Sequence, residues 1–507
     1  MKIKKIIIVA LYFGGCTLSA SAQETINLIP DTPSESPDYF CTWNIQGYVV
    51  NYKDSESTRY VMNEDYLFGN KKFHNWINCF PSIKEDLFFV MDDSWDIPQN
   101  VNSTSNPYLG SVEPDIQRFP SLKGDATERL TMLVKRVKEA GWKGLGGWVC
   151  AQKPENKQDI DEVSYWTEKL KIHHKAGFSY WKVDWGARAR DRQWREMLSN
   201  LKKEYAPDLW IEHACENNFI EFSDVFRTYD VENITAQPVT IQRICDLLPY
   251  CAENTPGIIN CEDEPYIAAG LGCTIGIMRH PFNGNLPDGT QDITFPPVGR
   301  DIKQRLDEVV RGVRWHRIAN PFGVTGTGFA IDSIRLEDYW ILQANETWNK
   351  SRKPGERVTA SAPARVSRNL PLLEVSDSTS TDRPFILASR YPNGALAVAS
   401  IGRALNHDYI VKKIGVKLPV SDIQVPIGVF GYFKELTLLL QKDIHINNYA
   451  IYAQDLAGNT AQNITKLVKI SKNNVTIPGD ILSRIGLSAA TSNDISDPGL
   501  VIRFLPL

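Results

Sequence analysis

Acidic side chains follow several short apolar runs in this sequence, at positions where strands are expected to end. Asp184 closes the run that begins at Tyr180, and the pair Asp92 and Asp93 closes an earlier one. Glu216 and Asp230 follow two later runs. Carboxylates brought close together repel one another, so such a cluster is costly as a mere requirement of the fold. The usual reasons for building one are a metal site or the cleavage of glycosidic bonds.

Glycosidic bond cleavage suits these residues better than metal binding. A retaining glycosidase needs a carboxylate nucleophile and a proton-donating carboxylic acid about 5–5.5 Å apart, and Asp184 and Asp230 follow the fourth and sixth apolar runs. Lys182 shares a strand face with Asp184 and would help to keep it ionised. His213 comes one residue before a strand end, so it is expected to point away from that end. The sequence therefore predicts neither a metal site nor a cofactor.

The runs that must position these residues alternate with amphipathic stretches between residues 39 and 322, which predicts a (β/α)8 TIM barrel of the α/β class. The runs are 39–44, 86–93, 143–150, 180–186, 209–214, 225–229, 258–260 and 275–278, and helical patterns cover 126–140, 163–176, 191–204 and 301–318. Catalytic groups of such barrels lie at the carboxyl ends of the strands. A doubly wound open sheet is the rival, but no glycine-rich phosphate loop follows the first run.

The segments before and after the predicted barrel differ from it in residue pattern and composition. In residues 323–507 apolar runs are separated by Pro, Asn and Gly, which predicts an antiparallel β-sandwich. Within it, residues 390–395 carry an Asn-Gly hairpin signal. The role of residues 433–507 as a separate module or part of the sandwich stays open. Residues 23–38 are polar and proline-rich, which predicts a flexible leader.

The N-terminus predicts export. A basic start, an apolar stretch over residues 6–13 and the small residues Ala20-Ser-Ala22 form a signal peptide over residues 1–22. An alternative is lipid attachment at Cys16. No later apolar run is long enough to span a membrane, and the net charge of −4 provides no basic surface for nucleic acid. The expected location is the periplasm or the extracellular space.

Eight cysteines would remain after signal cleavage. They show no CxxC spacing, which argues against a zinc site. Export permits disulfides, and Cys245 with Cys251 is a conceivable pair.

Several segments together resemble the α-galactosidases of glycoside hydrolase families 27 and 36. The resemblance covers about residues 39–320, with the same order and spacing of motifs, and extends more loosely into the sandwich. The similar segments are Thr42-Trp-Asn44, Asp92-Asp-Ser-Trp95, Asp115-Ile-Gln-Arg-Phe-Pro120, Gly141-Trp-Lys-Gly-Leu-Gly-Gly-Trp148, Tyr180-Trp-Lys-Val-Asp184 and Phe226-Arg-Thr-Tyr-Asp230.

The resemblance implies a role for each of these residues in hydrolysing a terminal α-galactosyl group from an oligosaccharide or polysaccharide. Asp184 would be the nucleophile and Asp230 the general acid/base of a double displacement. The remaining implied contacts are Asp92 and Asp93 to O4 and O6, Lys182 to O3 or O4, Arg227 with Cys215 and Glu216 on the O2 side, and Trp43 and Trp148 as aromatic walls.

Some residues depart from the family pattern or compete for its roles. Ser94 stands where Gly or Cys is commoner, and Asp224 and Glu232 lie close enough to Asp230 to compete for the acid/base role. Residues 262–264 are three acids expected in a solvated loop. The alternatives are a β-L-arabinopyranosidase, another α-glycosidase, or a carbohydrate-binding protein without catalysis. The sequence does not determine the oligomeric state.

Overall fold

The eight apolar runs form a closed parallel barrel in the computed structural model. It describes residues 26–49, 59–71, 74–78, 82–101, 107–228, 235–250, 257–278, 302–343, 353–441 and 445–507. The barrel strands, in chain and spatial order, are β1 (Tyr39–Cys41), β2 (Phe88–Met91), β3 (Gly144–Val149), β4 (Tyr180–Val183), β5 (Trp210–His213), β6 (Val225–Arg227), β7 (Ile258–Glu262) and β8 (Thr274–Ile277). β1 pairs with β8 to close it. The predicted (β/α)8 barrel is confirmed.

Helices surround the barrel, and three of them begin at aspartates that cap their first turn. Asp125 and Glu128 form a capping box at one helix, and Asp161 and Asp191 accept backbone hydrogen bonds at the next two. The helices of this part are α1 (Trp43–Val49), α2 (Glu64–Phe68), α3 (Ala126–Glu139), α4 (Glu162–Ala176), α5 (Arg192–Tyr205), α6 (Ala236–Leu247), α7 (Pro265–Leu271) and α8 (Leu306–His316).

In the described part of the chain, three further sheets follow the barrel. Their strands are β9 (Phe329–Ile331), β10 (Arg335–Ile341), β11 (Arg357–Pro363), β12 (Arg365–Arg368), β13 (Glu374–Val375), β14 (Phe385–Arg390), β15 (Leu396–Ile401), β16 (Arg403–Leu405), β17 (Asp408–Ile410), β18 (Gly415–Val420), β19 (Ile427–Gly431), β20 (Glu435–Leu440), β21 (Tyr449–Asp455), β22 (Gln462–Asn463), β23 (Lys469–Ser471), β24 (Asn474–Pro478) and β25 (Gly499–Pro506). The helix α9 (Gly479–Gly486) lies between the last two.

These sheets form the predicted sandwich, with one difference in strand direction. The orders are β11-β10-β16-β17, β22-β21-β25-β19-β15-β14-β12-β9 and β13-β18-β20-β24-β23. The eight-stranded and five-stranded sheets enclose an apolar core. The pairs β12–β14, β15–β19 and β18–β20 are parallel, so the sheets are mixed rather than wholly antiparallel. The hairpin expected at residues 390–395 joins β14 to β15.

The last part of the chain belongs to this sandwich. β25 lies between β19 and β21 in the eight-stranded sheet, and β20 and β24 pair in the five-stranded one. The opposite face of the eight-stranded sheet packs on the barrel, because α7 contacts β14, β15 and β19. Arg311 of α8 also donates to both carboxylate oxygens of Asp455, at 2.9 and 3.2 Å.

The expected flexible leader is docked where the structure describes it. The Leu28 amide donates to Gln454 Oε1 at 2.7 Å, which ties the leader to the sandwich. Lys143 donates to the carbonyls of Ser34 and Ser36, both at 2.6 Å, at the end of the barrel where β3 begins. Polar composition suggested a free segment, but these hydrogen bonds and the burial of Leu28 hold it in place.

Candidate active site

Asp184 is the residue directly after β4, at the carboxyl end of the barrel. Its carboxylate accepts a hydrogen bond from Trp148 Nε1 at 3.1 Å on Oδ2, and Lys182 Nζ lies 3.4 Å from the same oxygen. Arg227 Nη2 lies 3.0 Å from Oδ1. The side chain is 9% exposed. Asp191, rather than Asp184, caps the following helix α5, so a capping role for Asp184 is excluded.

The charge of Asp184 is set by its cationic neighbours. Burial is the largest single influence and would raise the pKa of this carboxyl. Arg227 and then Lys182 lower it by more, with a further contribution from the Trp148 hydrogen bond, so the pKa of Asp184 lies well below its usual range. Burial alone would lower the pKa of Lys182, but Asp92 raises it above its ordinary value. Lys182 and Asp184 are therefore both charged at neutral pH, as the sequence predicted.

Asp92 and Asp93 follow β2 and lie on the Lys182 side of Asp184. Lys182 Nζ lies 2.8 Å from Asp92 Oδ2, which also accepts a hydrogen bond from the Cys41 thiol at 2.9 Å. Asp93 forms an ion pair with Arg59 at 2.5 Å. Burial raises the pKa of Asp93 in spite of Arg59. Both carboxylates are thus buried, and each is paired with a cation from another part of the chain: Asp92 with Lys182 and Asp93 with Arg59.

Arg227 lies inside the barrel and joins Asp184 to two glutamates that sequence reasoning did not assign to the site. Its Nε lies 3.3 Å from Glu262 Oε1 and 3.8 Å from Glu212 Oε1. Glu212 accepts hydrogen bonds from Tyr180 at 2.8 Å and from Asn260 at 2.7 Å. All of these side chains are buried.

A signal for Glu212 was present in the sequence. His213 was expected to point away from the mouth, and strand alternation then turns Glu212 inward. The structure confirms the direction of His213, which contacts Ser199 and Arg195 of the surrounding helix α5 at 2.8 and 3.2 Å.

The expectation of a solvated loop at residues 262–264 was wrong. Glu262 ends β7 inside the barrel, and Asp263 accepts from the Met278 amide at 2.9 Å. Glu264 lies 3.6 Å from the Arg305 guanidinium. All three acids are buried. Runs of acids usually suggest solvent, but here buried arginines and backbone donors compensate them.

The other predicted contact residues occupy different depths around the mouth. Trp148 is buried and stands 5.3 Å from the ring of Trp185, so its observed contact with the site is the hydrogen bond to Asp184. Trp43 is half-buried on the apolar cluster inside the barrel. Cys215 is also half-buried, with a φ of 86°, which turns the chain sharply after β5. Glu216 is likewise half-buried and lies 3.4 Å from Arg190.

The predicted acid/base, Asp230, lies outside the described residues, and so does its competitor Glu232. Asp224, the other competitor, precedes β6 and therefore lies at the opposite end of the barrel from the mouth. There it pairs with Lys202 at 3.0 Å and accepts from the Ile211 amide at 2.9 Å. This position removes Asp224 from the assignment, and the role of Asp230 stays a prediction.

A cavity of about 470 Å³ opens beside Arg227 on the β5–β6 side of the mouth. Its lining residues include Trp185, Arg190, Cys215, Asn217, Thr228 and Arg243. The cavity can hold a sugar-sized group next to the Asp184 cluster.

The described residues also bear on metal-binding groups, membrane-spanning helices and disulfides. Within those ranges no group of His, Cys, Asp and Glu has the arrangement of a metal site. None of the described helices is long and apolar enough to cross a membrane. The six described cysteines are free thiols, including Cys245; Cys251 and the predicted signal peptide lie outside the described residues.

Comparison with known proteins gives only distant likenesses. No protein-family model matches the chain, and no curated protein sequence matches it. The solved structure of α-galactosidase I from Mortierella vinacea is similar over 93% of this chain and 97% of its own, at 10% identity and a TM-score of 0.38. The structure of a family 27 β-L-arabinopyranosidase from Geobacillus stearothermophilus is similar over 93% of this chain and 96% of its own, at 8% identity and a TM-score of 0.40. The structure of the α-galactosidase from Saccharomyces cerevisiae with raffinose is similar over 94% of this chain and 97% of its own, at 8% identity and a TM-score of 0.37. At these scores the likenesses support no conclusion about the site.

Proposed function

We propose that this chain is an exported retaining exo-α-glycosidase that hydrolyses terminal α-galactosyl residues. One observation carries the proposal: Asp184, at the carboxyl end of a closed parallel barrel, is buried yet held ionised by Lys182 and Arg227. A carboxylate nucleophile must be anionic and shielded from bulk water before it attacks an anomeric carbon. The family resemblance of the sequence motifs supplies the choice of sugar.

The reaction is a double displacement. The Asp184 carboxylate forms a bond to the anomeric carbon while the bond from that carbon to the leaving oxygen breaks, and Asp230 donates a proton to that oxygen. Water then gives a proton back to Asp230 and attacks the same carbon, which releases Asp184 and retains the configuration. The negative charge of Asp184 favours the protonated form of a nearby acid, which is what the first step requires.

Asp92 and Asp93 are suited to hold sugar hydroxyl groups. Each is a buried carboxylate with a fixed orientation, set for Asp92 by Cys41 and Lys182 and for Asp93 by Arg59. Ionised carboxylates accept strong hydrogen bonds from hydroxyl groups. A sugar placed against this pair would lie on the Lys182 side of Asp184.

The test is release of nitrophenol from p-nitrophenyl α-D-galactopyranoside by the wild type and three variants. Asp184→Ala and Asp230→Ala should each lose at least about 10³-fold in turnover, as expected when a nucleophile or a proton donor is removed. Asp224→Ala is the matched control, because it removes an aspartate that precedes β6 at the far end of the barrel. We expect it to keep its turnover.

Azide separates the two roles. With Asp184→Ala, azide should restore turnover and yield the β-galactosyl azide, because it attacks in place of the carboxylate. With Asp230→Ala it should yield the α-azide, because it attacks the glycosyl-enzyme. Full activity of Asp184→Ala would refute the mechanism. A wild type that is inactive on the galactoside but cleaves p-nitrophenyl β-L-arabinopyranoside would show that the proposed sugar is wrong. Export is tested by sequencing the mature N-terminus, which should begin at Gln23.

A further inference from the structure

We propose that Arg195 is a positioning residue that fixes the main chain of Asp184 from outside the barrel. This inference rests on the proposed function of Asp184 as the nucleophile. Arg195 lies on α5 and is fully buried. Its Nη2 donates to the carbonyl of Asp184 at 2.6 Å, and its Nη1 donates to the carbonyl of Val183 at 3.0 Å. The guanidinium thus holds two successive peptide groups at the end of β4.

The same peptide groups are held from the other side by the neighbouring strand. The Asp184 amide donates to the Val149 carbonyl at 3.0 Å, which continues the β3–β4 ladder by one residue. The β4–β5 pairing, in contrast, is last seen at Lys182 and Glu212. Arg195 therefore supplies donors to β4 carbonyls beyond the point where that ladder ends. With β3 on one side and Arg195 on the other, the backbone of Asp184 has little freedom to turn.

Arg195 also fixes the end of the adjacent strand β5. Its Nη1 lies 3.2 Å from His213 Nδ1, and Ser199 Oγ lies 2.8 Å from His213 Nε2. An arginine can only donate, so His213 accepts on Nδ1 and carries its proton on Nε2. Burial first, and then the charge of Arg195, hold the pKa of His213 well below its ordinary value. Arg195 Nη2 also lies 3.8 Å from the sulfur of Cys215.

The forked geometry of the Arg195 guanidinium group explains why an arginine is needed at this position. A planar guanidinium presents several N–H groups in fixed directions, whereas a lysine ammonium cannot hold two adjacent carbonyls and a ring nitrogen in the same way. Nε of Arg195 donates to the carbonyl of Ala189 at 2.9 Å, which anchors the fork itself to the β4–α5 loop. A displacement of the nucleophile by about 1 Å can cost on the order of 10²-fold in rate.

The test compares Arg195→Lys and Arg195→Met with the wild type on p-nitrophenyl α-D-galactopyranoside. The matched control is Arg192→Lys, one turn earlier on α5, where Arg192 forms a partly exposed pair with Glu221 at 2.7 Å. We expect Arg195→Lys to lose about 10- to 100-fold in kcat with KM within about threefold. Arg195→Met should lose more, and Arg192→Lys should match the wild type. A kcat of Arg195→Lys within twofold of wild type, or a change confined to KM, would overturn the proposal.

A second readout does not depend on activity. In ¹⁵N-histidine spectra the wild type should show His213 as the neutral Nε2–H form between about pH 5 and 8, and Arg195→Met should show it changing tautomer or titrating. If the wild type cleaves no glycoside, the proposed function fails, and this spectrum alone tests the contact between Arg195 and His213. A His213 signal that is the same in the wild type and in Arg195→Met would refute that contact. If neither Arg195 variant folds, Ser199→Ala should lower kcat several-fold by releasing His213, and an unchanged kcat would again refute the proposal.

Discussion

Replacing Arg227 with methionine is expected to destabilise the folded barrel strongly at neutral pH and much less in mild acid. Arg227 has no exposed side-chain surface, and within the described part of the chain three carboxylates lie close to it: Asp184 at 3.0 Å, Glu262 at 3.3 Å and Glu212 at 3.8 Å. Methionine replaces the unbranched apolar stem of arginine, up to about the position of Nε, and carries no charge. The variant would therefore leave the three acids in place with their shared cation removed.

The size of the effect follows from these distances. At 3.0 Å and an effective dielectric constant of about 20, the attraction between two unit charges is on the order of 5 kcal/mol. Desolvation of the ions cancels much of this, and removal of one partner from a buried pair costs about 3–5 kcal/mol in practice. We expect a loss in this range for the free energy of unfolding, or roughly 6–10 °C in apparent Tm at about 2 °C per kcal/mol for a domain of this size.

The pH dependence follows from the protonation states. In the wild type the lowered pKa of Asp184 contributes stability above the ordinary carboxyl pKa, and that stability is lost as the pH falls below it. In Arg227→Met the buried carboxyls have raised pKa values instead, since burial then acts without its main compensation. Their ionisation opposes folding at pH 7, and protonation relieves it as the pH falls toward the ordinary carboxyl range near 4.

Thermal unfolding of the wild type and Arg227→Met at pH 7 and pH 5 would measure this difference. Arg357→Met is the matched control, because Arg357 and Glu337 form a surface pair at 3.2 Å with both side chains more than half exposed. Such pairs contribute at most about 1 kcal/mol. An Arg227→Met variant that loses less than about 1 kcal/mol, or the same amount at both pH values, would refute this account of the buried cluster.

Three further outcomes are expected. Trp148→Phe keeps an aromatic ring but removes the hydrogen bond to Asp184, so kcat should fall about 10- to 100-fold, corresponding to a charged hydrogen bond of about 1.5–3 kcal/mol; unchanged steady-state kinetics would contradict it. Burial raises the pKa of Asp96 to about 7, so stability is lost as the pH rises from about 4 to 7, and Asp96→Asn should raise Tm relative to wild type at pH 8 but not at pH 4. Arg311→Met removes the buried bridge to Asp455 between barrel and sandwich, so it should lower Tm by several degrees; a Tm equal to wild type would contradict it.

Residue spacing was sufficient to predict the barrel and the Asp184 side of the site. Each strand is a short apolar run with its polar residues at one end, and this pattern determines both the sheet and the face on which the acids lie. Lys182 was predicted to stabilise ionised Asp184 from its position two residues earlier, and the structure bears this out at 3.4 Å. Local alternation was enough because both residues belong to one strand.

Contacts between distant elements could not be predicted in this way. Arg227 was assigned to the substrate, yet the structure places it among Glu212 and Glu262, which come from two other strands. The docking of the leader depends on Gln454, more than 400 residues away in the chain. Such pairings are set by the closure of the barrel and the packing of the sandwich, and no local pattern in the sequence encodes them.

The donors around Asp184 also distinguish its two carboxylate oxygens. Oδ2 accepts from Trp148 at 3.1 Å and lies 3.4 Å from Lys182, so its lone pairs are engaged. Oδ1 forms an ion pair with Arg227 Nη2 at 3.0 Å. In the proposed mechanism Trp148 and Lys182 therefore orient the carboxylate through Oδ2, and Arg227 at Oδ1 keeps it ionised for the attack.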